Sequence, residues 1–296
     1  MANLKEVRDR IQSVISTQQI TKAMKLVAAS KLRRSQQAIQ QLRPYSQKLN
    51  EILSNILATV SEDDMDSAYG TERPIKNVCI VVITSNRGLC GAYNSNVIKA
   101  AMATVNEKYA AQYEAGNVTL LFIGKKGKDF LSKRLPNAKF INDYVELVGK
   151  EFSSQDSTPV AERLMDAFTN EEFDAIDIAY ARFRNAAVQE YEVEQFLPIA
   201  KAEVKDGSFN NDFIFEPEKA DFLNYLIPAV LKTQFHKTIL DSNASEHGAR
   251  MTAMDKATDN AEDMLRDLRV YYNKARQEAI TTELGEIVGG AAALEG

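Results

Sequence analysis

The sequence predicts an α/β protein whose two long terminal helices pair with each other and flank a small central domain. Helical pattern runs from about residue 3 to 60 and from about 217 to 294, and beyond their starts the stretches contain only one proline each, Pro44 and Pro228. At about 1.5 Å per residue they would span roughly 85 and 115 Å. A bare helix is only marginally stable in water, so each needs a partner. The nearest partner is the other end of the same chain, and we expect a rod made of the two termini.

Apolar residues in the first stretch recur at alternating steps of three and four, which is the spacing of a coiled-coil seam. The seam residues near its start are Leu4, Val7, Ile11 and Val14, and those near its end are Ile39, Leu42, Ser46, Leu49, Leu53, Ile56 and Val60. Between Gln18 and Ser35 the seam fades, because polar and small residues interleave with Ile20, Met24 and Val27. Packing there is expected to be close, or made to another surface. Pro44 is expected to kink or strain this helix.

The second helix is expected to begin near Pro217, which suits a first-turn position. Its seam is rich in alanine, which predicts a close approach of the two helices. From Met254 onward the predicted seam residues are Ala257, Ala261, Met264, Leu268, Tyr271 and Ala275.

Strand and helix patterns alternate in the middle of the chain, which predicts a parallel sheet. The continuous β-branched run Val78 to Thr84 is typical of a strand buried on both faces. Further strands are predicted at Val118 to Gly124 and Phe173 to Phe183, with helices from about Tyr93 to Tyr113 and through Thr158 to Thr169. Residues of about 75 to 215 therefore form a small α/β domain.

Charge is distributed unevenly along the 296 residues. The whole chain carries −5, yet residues 1–43 contain nine cationic and two anionic side chains, a local charge of +7. A basic helix favours an acidic partner. Aromatic residues that could stack on bases are absent before Tyr45, so an acidic protein surface is favoured over nucleic acid. No apolar run approaches the 18 to 20 residues that span a membrane, so any membrane association is expected to be peripheral.

No set of residues indicates an active site, a cofactor or a metal centre. Cys79 and Cys90 have neither zinc nor redox spacing and are interpreted as buried thiols. His236 and His247 lie near opposite faces of one helix and cannot share a metal. Glu283 and Glu286 are interpreted as a solvated helix face.

The turn Ser85–Gly91 (SNRGLCG) follows the first strand and resembles a phosphate-binding loop at a strand-to-helix junction. It lacks both GxGxxG and the GxxxxGK[ST] lysine, so a structural turn is favoured. The phosphate loop remains the alternative.

Four segments resemble the gamma subunit of F-type ATP synthases. The segment YNKARQEAITTELGEIVGGAAAL at 272–294 is similar to the family signature. ITKAMKLVAASKLRR at 20–34, TSNRGLCGAYN at 84–94 and ASEHGARMTAMDKATDN at 244–260 match in the family's order and spacing. The likeness extends over nearly the whole chain.

The resemblance implies an antiparallel coiled coil of the N- and C-terminal helices plus a central Rossmann-like α/β domain. The domains would be 1–60, 75–215 and 217–296. In this family the coiled coil enters a hexamer of alternating alpha and beta subunits, and the middle domain meets the epsilon subunit and the ring of membrane c subunits. Gamma rotates, couples proton flow to ATP synthesis and influences ATPase activity; catalysis belongs to beta.

Contact residues carry over by motif. The resemblance implies contacts with beta from Lys22, Met24, Lys25, Arg250, Arg276 and Gln277. Arginine suits such contacts, because its fork can engage a carboxylate bidentately and then release it. Phe213, Phe215 and Glu216, followed by Pro217, match a segment that approaches the c ring and epsilon. Phenylalanines stand where the family commonly has tyrosine, which puts hydrogen bonds from those hydroxyls in doubt.

The N-terminus resembles neither a secretory signal nor a transit peptide, and the cysteine-pair insertion of chloroplast relatives is absent. We therefore expect a bacterial protein, peripheral on the cytoplasmic side of the inner membrane. Two alternatives remain on pattern alone. A nucleotide-binding enzyme would need a phosphate loop and a polar site, and a static coiled-coil scaffold would leave the ARQEAITTELGEIV match unexplained.

Overall fold

Two long helices are the largest elements of the chain. The computed structural model describes residues 4–59, 69–71, 73–148, 152–199 and 219–295. Helix α1 spans Leu4–Thr59, and the last helix, α6, spans Lys219–Glu295. Pro44 and Pro228 lie inside these helices, and neither ends its helix. A proline removes one backbone hydrogen bond, and the turns on either side continue the helix. The two predicted helical stretches are confirmed.

The central elements alternate strand and helix. In chain order they are β1 (Val78–Ile83), α2 (Tyr93–Ala103), a π-helical turn (Thr104–Lys108), α3 (Ala110–Glu114), β2 (Val118–Ile123), α4 (Lys125–Arg134), β3 (Lys139–Ile141), a 3₁₀ turn (Val145–Leu147), α5 (Ser154–Thr169), β4 (Ala175–Phe183) and β5 (Gln189–Leu197).

The strands form one sheet in the order β3-β2-β1-β4-β5. β1 pairs in parallel with β2, starting with Val78 opposite Val118, and in parallel with β4. β5 is antiparallel to β4, so the sheet is mixed. The three predicted strands are confirmed. β1, β2 and β4 are parallel to one another, as predicted. β5 was not predicted, and it is antiparallel because a short connection returns the chain directly alongside β4.

The sheet is buried on both faces, as the β-branched run of β1 predicts. On one face Cys79, Val81 and Ile83 pack with residues of α5 and with α6 between Leu226 and Ile239. On the other, Val78, Ile80 and Val82 pack with residues of α2 and α4. Helix α5 begins with a capping box, in which Ser153 and Asp156 satisfy backbone amides reciprocally. All five residues from Val78 to Val82 are fully buried.

The chain divides into two compact units, residues 1–28 with 251–296 and residues 29–250. In the first unit the two helices run antiparallel. Arg8 Nη2 donates to the Tyr272 hydroxyl at 2.8 Å, and the hydroxyls of Thr21 and Thr258 lie 2.8 Å apart. The residue numbers of successive contacts thus rise along α1 and fall along α6, as in an antiparallel coiled coil.

The seam of α6 differs from the predicted one at two positions, 264 and 271. Leu265 is 5% exposed, whereas the predicted Met264 is 46% exposed. Tyr272 is likewise partly buried, whereas the predicted Tyr271 is exposed. Positions 254, 261, 268 and 275 are shared by both registers, so the apolar spacing alone did not distinguish a step of three from a step of four. The predictions of Met264 and Tyr271 as seam residues are wrong.

The seam of α1 continues where the sequence suggested that it fades. Buried or half-buried positions follow Val14 at Gln18, Thr21, Lys25 and Ala28 in the same alternation of three and four. Ile20 and Val27 instead lie outside it, 60% and 58% exposed. Polar and small residues therefore form this part of the seam, and the apolar residues of the segment face away from it.

Within the described residues, no helix has the combination of length and apolar character that would let it cross a membrane.

Candidate functional site

The predicted contact residues are spread over several parts of the chain. Lys22, Met24 and Lys25 lie on α1, and Arg250, Arg276 and Gln277 lie on α6. The predicted contacts to the c ring and epsilon, Phe213, Phe215 and Glu216, lie outside the described residues. The described members of this set therefore lie on the surfaces of two helices.

The two lysines of α1 that were predicted as contacts differ in their surroundings. Lys25 forms an ion pair with Asp255 of α6, and both side chains are partly exposed. Lys22 is exposed, and Met24 is half-buried. The two lysines thus differ in role: Lys25 joins the two helices, and Lys22 points into solvent.

Three apolar residues near Lys22 in the sequence are exposed, which was not predicted. Ile20, Leu26 and Val27 are all more than half exposed. Ile20 and Val27 are seven positions apart and share one face of α1, an exposed apolar surface suited to a protein partner, whereas Lys22 lies nearer the opposite face. The signal was present in the sequence, because these residues fall outside the 3-4 alternation that continues through Thr21 and Ala28.

The C-terminal part of α6 is exposed on all sides. Arg276 and Gln277 are exposed, and so is every residue from Ile280 to Ala291. Ile280, Leu284, Ile287 and Val288 nevertheless follow helical spacing and are 47 to 67% exposed. This second apolar stripe, which the sequence analysis also missed, lies beside the predicted Arg276 and Gln277.

Arg250 is placed differently from the other predicted residues. Its side chain is 13% exposed and forms an ion pair with Glu246, which is 9% exposed. Nη2 also donates to the backbone carbonyls of Arg87 and Gly88, at 3.2 and 3.3 Å. Arg250 therefore fastens the loop after β1 to α6, a role that sequence analysis did not assign to it.

The loop from Ser85 to Gly91 has the contacts of a structural turn. The Ser85 amide donates to Asn94 Oδ1 at 3.0 Å, and the Lys125 amide donates to Asn86 Oδ1 at 2.9 Å. Two of its carbonyls face Arg250. A phosphate cradle needs free amides that point at the ligand. These contacts favour the structural turn over the phosphate loop.

The chain's own helix covers the crevice in which doubly wound proteins bind nucleotides. That crevice lies beyond the carboxyl ends of the strands where the strand order reverses, here between β1 and β4. Ser245 Oγ of α6 donates to the carbonyl of Ala181 in β4 at 2.9 Å. A Cβ added at Gly248 would lie 3.2 Å from Ala186 Cα, and Arg250 closes the β1 side. This placement argues against a nucleotide-binding enzyme.

A polar cluster joins β4 and β5 to α6. The Tyr180 hydroxyl lies 2.8 Å from Glu192 Oε1 and 2.9 Å from Glu194 Oε2, and it can donate to only one of them at a time. Gln234 Nε2 donates to Glu194 at 3.0 Å. Burial raises the pKa of the nearby Asp241 to about 6. The cluster thus places Glu192 and Glu194 near Asp241, whose protonated form is favoured by burial.

The remaining titratable candidates are structural. Cys79 and Cys90 are buried free thiols, as predicted, and burial raises the pKa of each. His236 Nδ1 lies 2.9 Å from Ser157 Oγ, and burial lowers its pKa. Burial also lowers the pKa of His247, to about 4. Across the described ranges, no group of three His, Cys, Asp or Glu side chains is arranged to hold a metal.

Comparisons with known proteins agree along the whole length. Residues 3–294 match a family model described as ATP synthase. The ATP synthase gamma chain of Cytophaga hutchinsonii is 50% identical over 297 residues, covering 99% of each chain. That of Christiangramia forsetii is 49% identical, covering 100% of each.

Solved structures give the same likeness. A chain of the Tetrahymena thermophila mitochondrial ATP synthase central stalk and c ring is 25% identical with a TM-score of 0.58, covering 80% of this chain and 99% of that one. A chain of the Euglena gracilis mitochondrial enzyme has a TM-score of 0.66 at 20% identity, covering 98% and 94%. The latter likeness supports the fold.

Proposed function

This chain belongs to the ATP synthase gamma-chain family, and we propose that it is the rotating central shaft of a rotary ATP synthase. The observation that carries the proposal is that about half of the residues are identical to those of known gamma chains over the full length. The antiparallel pairing of the terminal helices supports it, because a shaft needs two helices that support each other. The shaft couples ion flow through the membrane sector to ATP synthesis on another subunit.

The proposed partners are the alpha and beta subunits of a catalytic hexamer, the epsilon subunit and the c ring. Two exposed apolar stripes support insertion of the helix pair into a protein sleeve, one at Ile20 and Val27 and one at Ile280, Leu284, Ile287 and Val288. Stripes of this kind are unfavourable in water and favourable against a partner. Exposed Arg276 and Gln277 lie beside the second stripe, exposed Lys22 lies on another face of α1, and all three are proposed to contact beta.

Arg250 has a second proposed role in the same complex. Its guanidinium holds the loop after β1, so it would act on beta partly through the position of Arg87 and Gly88. Phe213, Phe215 and Glu216 remain proposed contacts to the c ring and epsilon.

Coupling by shape is favoured over coupling by ion pairs. Reversing a conformational equilibrium from 1:99 to 99:1 requires about 5.5 kcal/mol. An exposed ion pair contributes about 0 to 1 kcal/mol, so Lys22 or Arg276 alone falls far short. The asymmetric apolar surface of the turning helices is therefore proposed to drive each beta subunit through its states.

The chain is proposed to have no active site of its own. The covering of the strand-reversal crevice by α6 supports this proposal, since Ser245 and Gly248 stand where a nucleotide would bind. We propose that the complex couples to protons and that this chain is peripheral on the cytoplasmic side of a bacterial inner membrane.

Rotation of single molecules tests the function directly. The chain is reconstituted with alpha and beta subunits, and a bead is attached through an engineered surface cysteine. Cys90 is unsuited to attachment because it is 1% exposed. Asn137 is exposed and lies outside the helix pair, so Asn137→Cys is the attachment variant. One-way stepping of the bead under ATP is expected.

A static scaffold is the competing function. It predicts that the hexamer assembles and hydrolyses ATP while the bead stays still, and that result would overturn the shaft proposal. A matched sample with the bead fixed to alpha distinguishes rotation of the shaft from motion of the whole complex.

A further inference from the structure

Helix α4 carries a strong local positive charge in an acidic protein. Its ten residues include five cations and one acid: Lys125, Lys126, Lys128, Lys133, Arg134 and Asp129. No carboxylate of the described part of the chain lies within ion-pair distance of these cations. Within the described part of the chain, this positive charge is therefore not neutralised by a neighbouring carboxylate.

An apolar groove of about 400 Å³ runs between α4 and α2. Ile98 and Met102 of α2 form one wall, and Phe130 of α4 forms the other. Phe130 is 42% exposed, and the Arg134 guanidinium lies 5.4 Å from the centre of its ring. An exposed apolar wall beside cations is typical of an interaction surface.

Two lysines stand at the rim, one on each helix. Lys99 of α2 and Lys126 of α4 line the groove together with Asp129. Lys99 also has no ion-pair partner among the side chains described here. A ligand that enters the groove therefore meets apolar side chains together with two cations and the single carboxylate of Asp129.

The groove is held open by the fold. The Gly127 amide of α4 donates to Thr84 Oγ1 at 2.9 Å, and a Cβ at Gly124 would lie 2.0 Å from the Thr84 carbonyl oxygen. Leu131 is fully buried and anchors α4 on the sheet. The α4 wall is thus fixed on the sheet, so little ordering of this helix opposes binding.

We propose that this groove docks an acidic segment of a partner protein, which inserts one apolar side chain between Met102 and Phe130 and places carboxylates near Lys99 and Lys126. The concave shape favours a protein segment over a membrane. A bilayer surface would be met best by apolar side chains that project, and the walls here face each other across a cleft. None of the residues proposed to contact beta lies on α2 or α4, so this site is separate from the proposed coupling surface.

Photo-crosslinking in cells that make the complete chain tests the proposal. The photoreactive residue p-benzoylphenylalanine replaces Phe130 in one sample and Met102 in a second, so that a loss of assembly in one leaves the other. The control position is Asn137, which is exposed and lies outside the groove lining. Cross-linked peptides are identified by mass spectrometry. Both groove positions should cross-link to one protein segment with carboxylates around an apolar residue, at least about tenfold more than position 137.

Charge reversal then tests the role of the rim. The double substitution Lys99→Glu with Lys126→Glu should reduce the cross-link at least about tenfold. The matched control, Lys128→Glu with Lys133→Glu, makes the same change in net charge. It should retain most of the cross-linking yield. Cross-links to lipid alone, equal yields from all three photoprobe positions, or equal losses in the two charge variants would each overturn the proposal.

Discussion

Arg250 Nη2 donates a 3.2 Å hydrogen bond to the backbone carbonyl of Arg87, which lies 163 positions earlier in the chain. The same guanidinium binds the carboxylate of Glu246, and both side chains are almost buried. A single side chain thus connects the loop after β1 to helix α6. Removing it would leave a buried carboxylate without its partner.

Arg250→Ala is therefore expected to lower the free energy of unfolding by about 3 kcal/mol, because an unpaired buried charge is strongly unfavourable. Urea titration measures the change. The double variant Glu246→Gln with Arg250→Ala should recover part of the loss. If the single variant is as stable as the parent protein, Arg250 does not fasten the loop.

Hydrogen exchange at the amides of residues 86–89 provides a local readout for the same variant. Their exchange should accelerate in Arg250→Ala, since the loop loses two hydrogen bonds to its carbonyls. The exchange rates of the β1 amides should change only as much as the loss of global stability requires. Uniform acceleration would instead indicate a general loss of stability.

The two adjacent residues Met264 and Leu265 test the register of the helix pair. Leu265→Ala removes a buried side chain and should cost about 2 to 4 kcal/mol, whereas Met264→Ala on the exposed side should cost less than about 1 kcal/mol. The midpoint of thermal unfolding, followed by circular dichroism, compares the two. A larger loss of stability in Met264→Ala than in Leu265→Ala would instead support the register predicted from the sequence.

The register of this helix pair could not be predicted from the sequence. The spacing of apolar residues established that α6 has a heptad seam, but Met264 and Leu265 are equally apolar, and the choice between them is made by the partner helix. Thr21 and Lys25 were missed as seam residues because polar residues rarely signal a seam. They fit here because each meets a matching group, Thr258 and Asp255 respectively.

In the central domain, local sequence pattern predicted some elements and missed others. β1 was predicted from its continuous β-branched run, and β2 as the strand that follows the first helical stretch of the central domain. α4 was missed because its sequence is highly charged and contains Gly127, which lowers helix propensity. The contact between Arg250 and Arg87 joins residues far apart in the chain, so no local pattern could have indicated it.

Arg276 and Gln277 test the coupling surface. Both side chains are exposed, so the double variant Arg276→Ala with Gln277→Ala should leave the fold intact and lower proton-driven ATP synthesis several-fold. The measurement is synthesis by the reconstituted complex at equal assembly. The matched control is Lys274→Ala with Asn273→Ala, because these two residues are also exposed and lie on the adjacent turn of α6. Normal synthesis by a correctly assembled Arg276 and Gln277 variant would contradict the proposed contact.

Asp241 predicts how stability depends on pH. Burial raises its pKa in the folded protein to about 6, from an ordinary value of 3.8. The folded state therefore binds this proton more tightly than the unfolded state does. The contribution of Asp241 is most favourable below about pH 4 and is lost as the pH rises through 6, an upper limit of about 3 kcal/mol.

His247 acts in the opposite sense over the same range. Burial, reinforced by Arg250 and Lys31, lowers its folded pKa to about 4. Its contribution is present above about pH 6.5 and is lost as the pH falls through 4. The two groups partly cancel in the parent protein, so Asp241→Asn should be more stable than the parent at pH 7 and should lose stability more steeply on acidification to pH 4. Urea titrations at pH 7, 5.5 and 4 measure both slopes, and parallel curves for the variant and the parent would refute a raised pKa at Asp241.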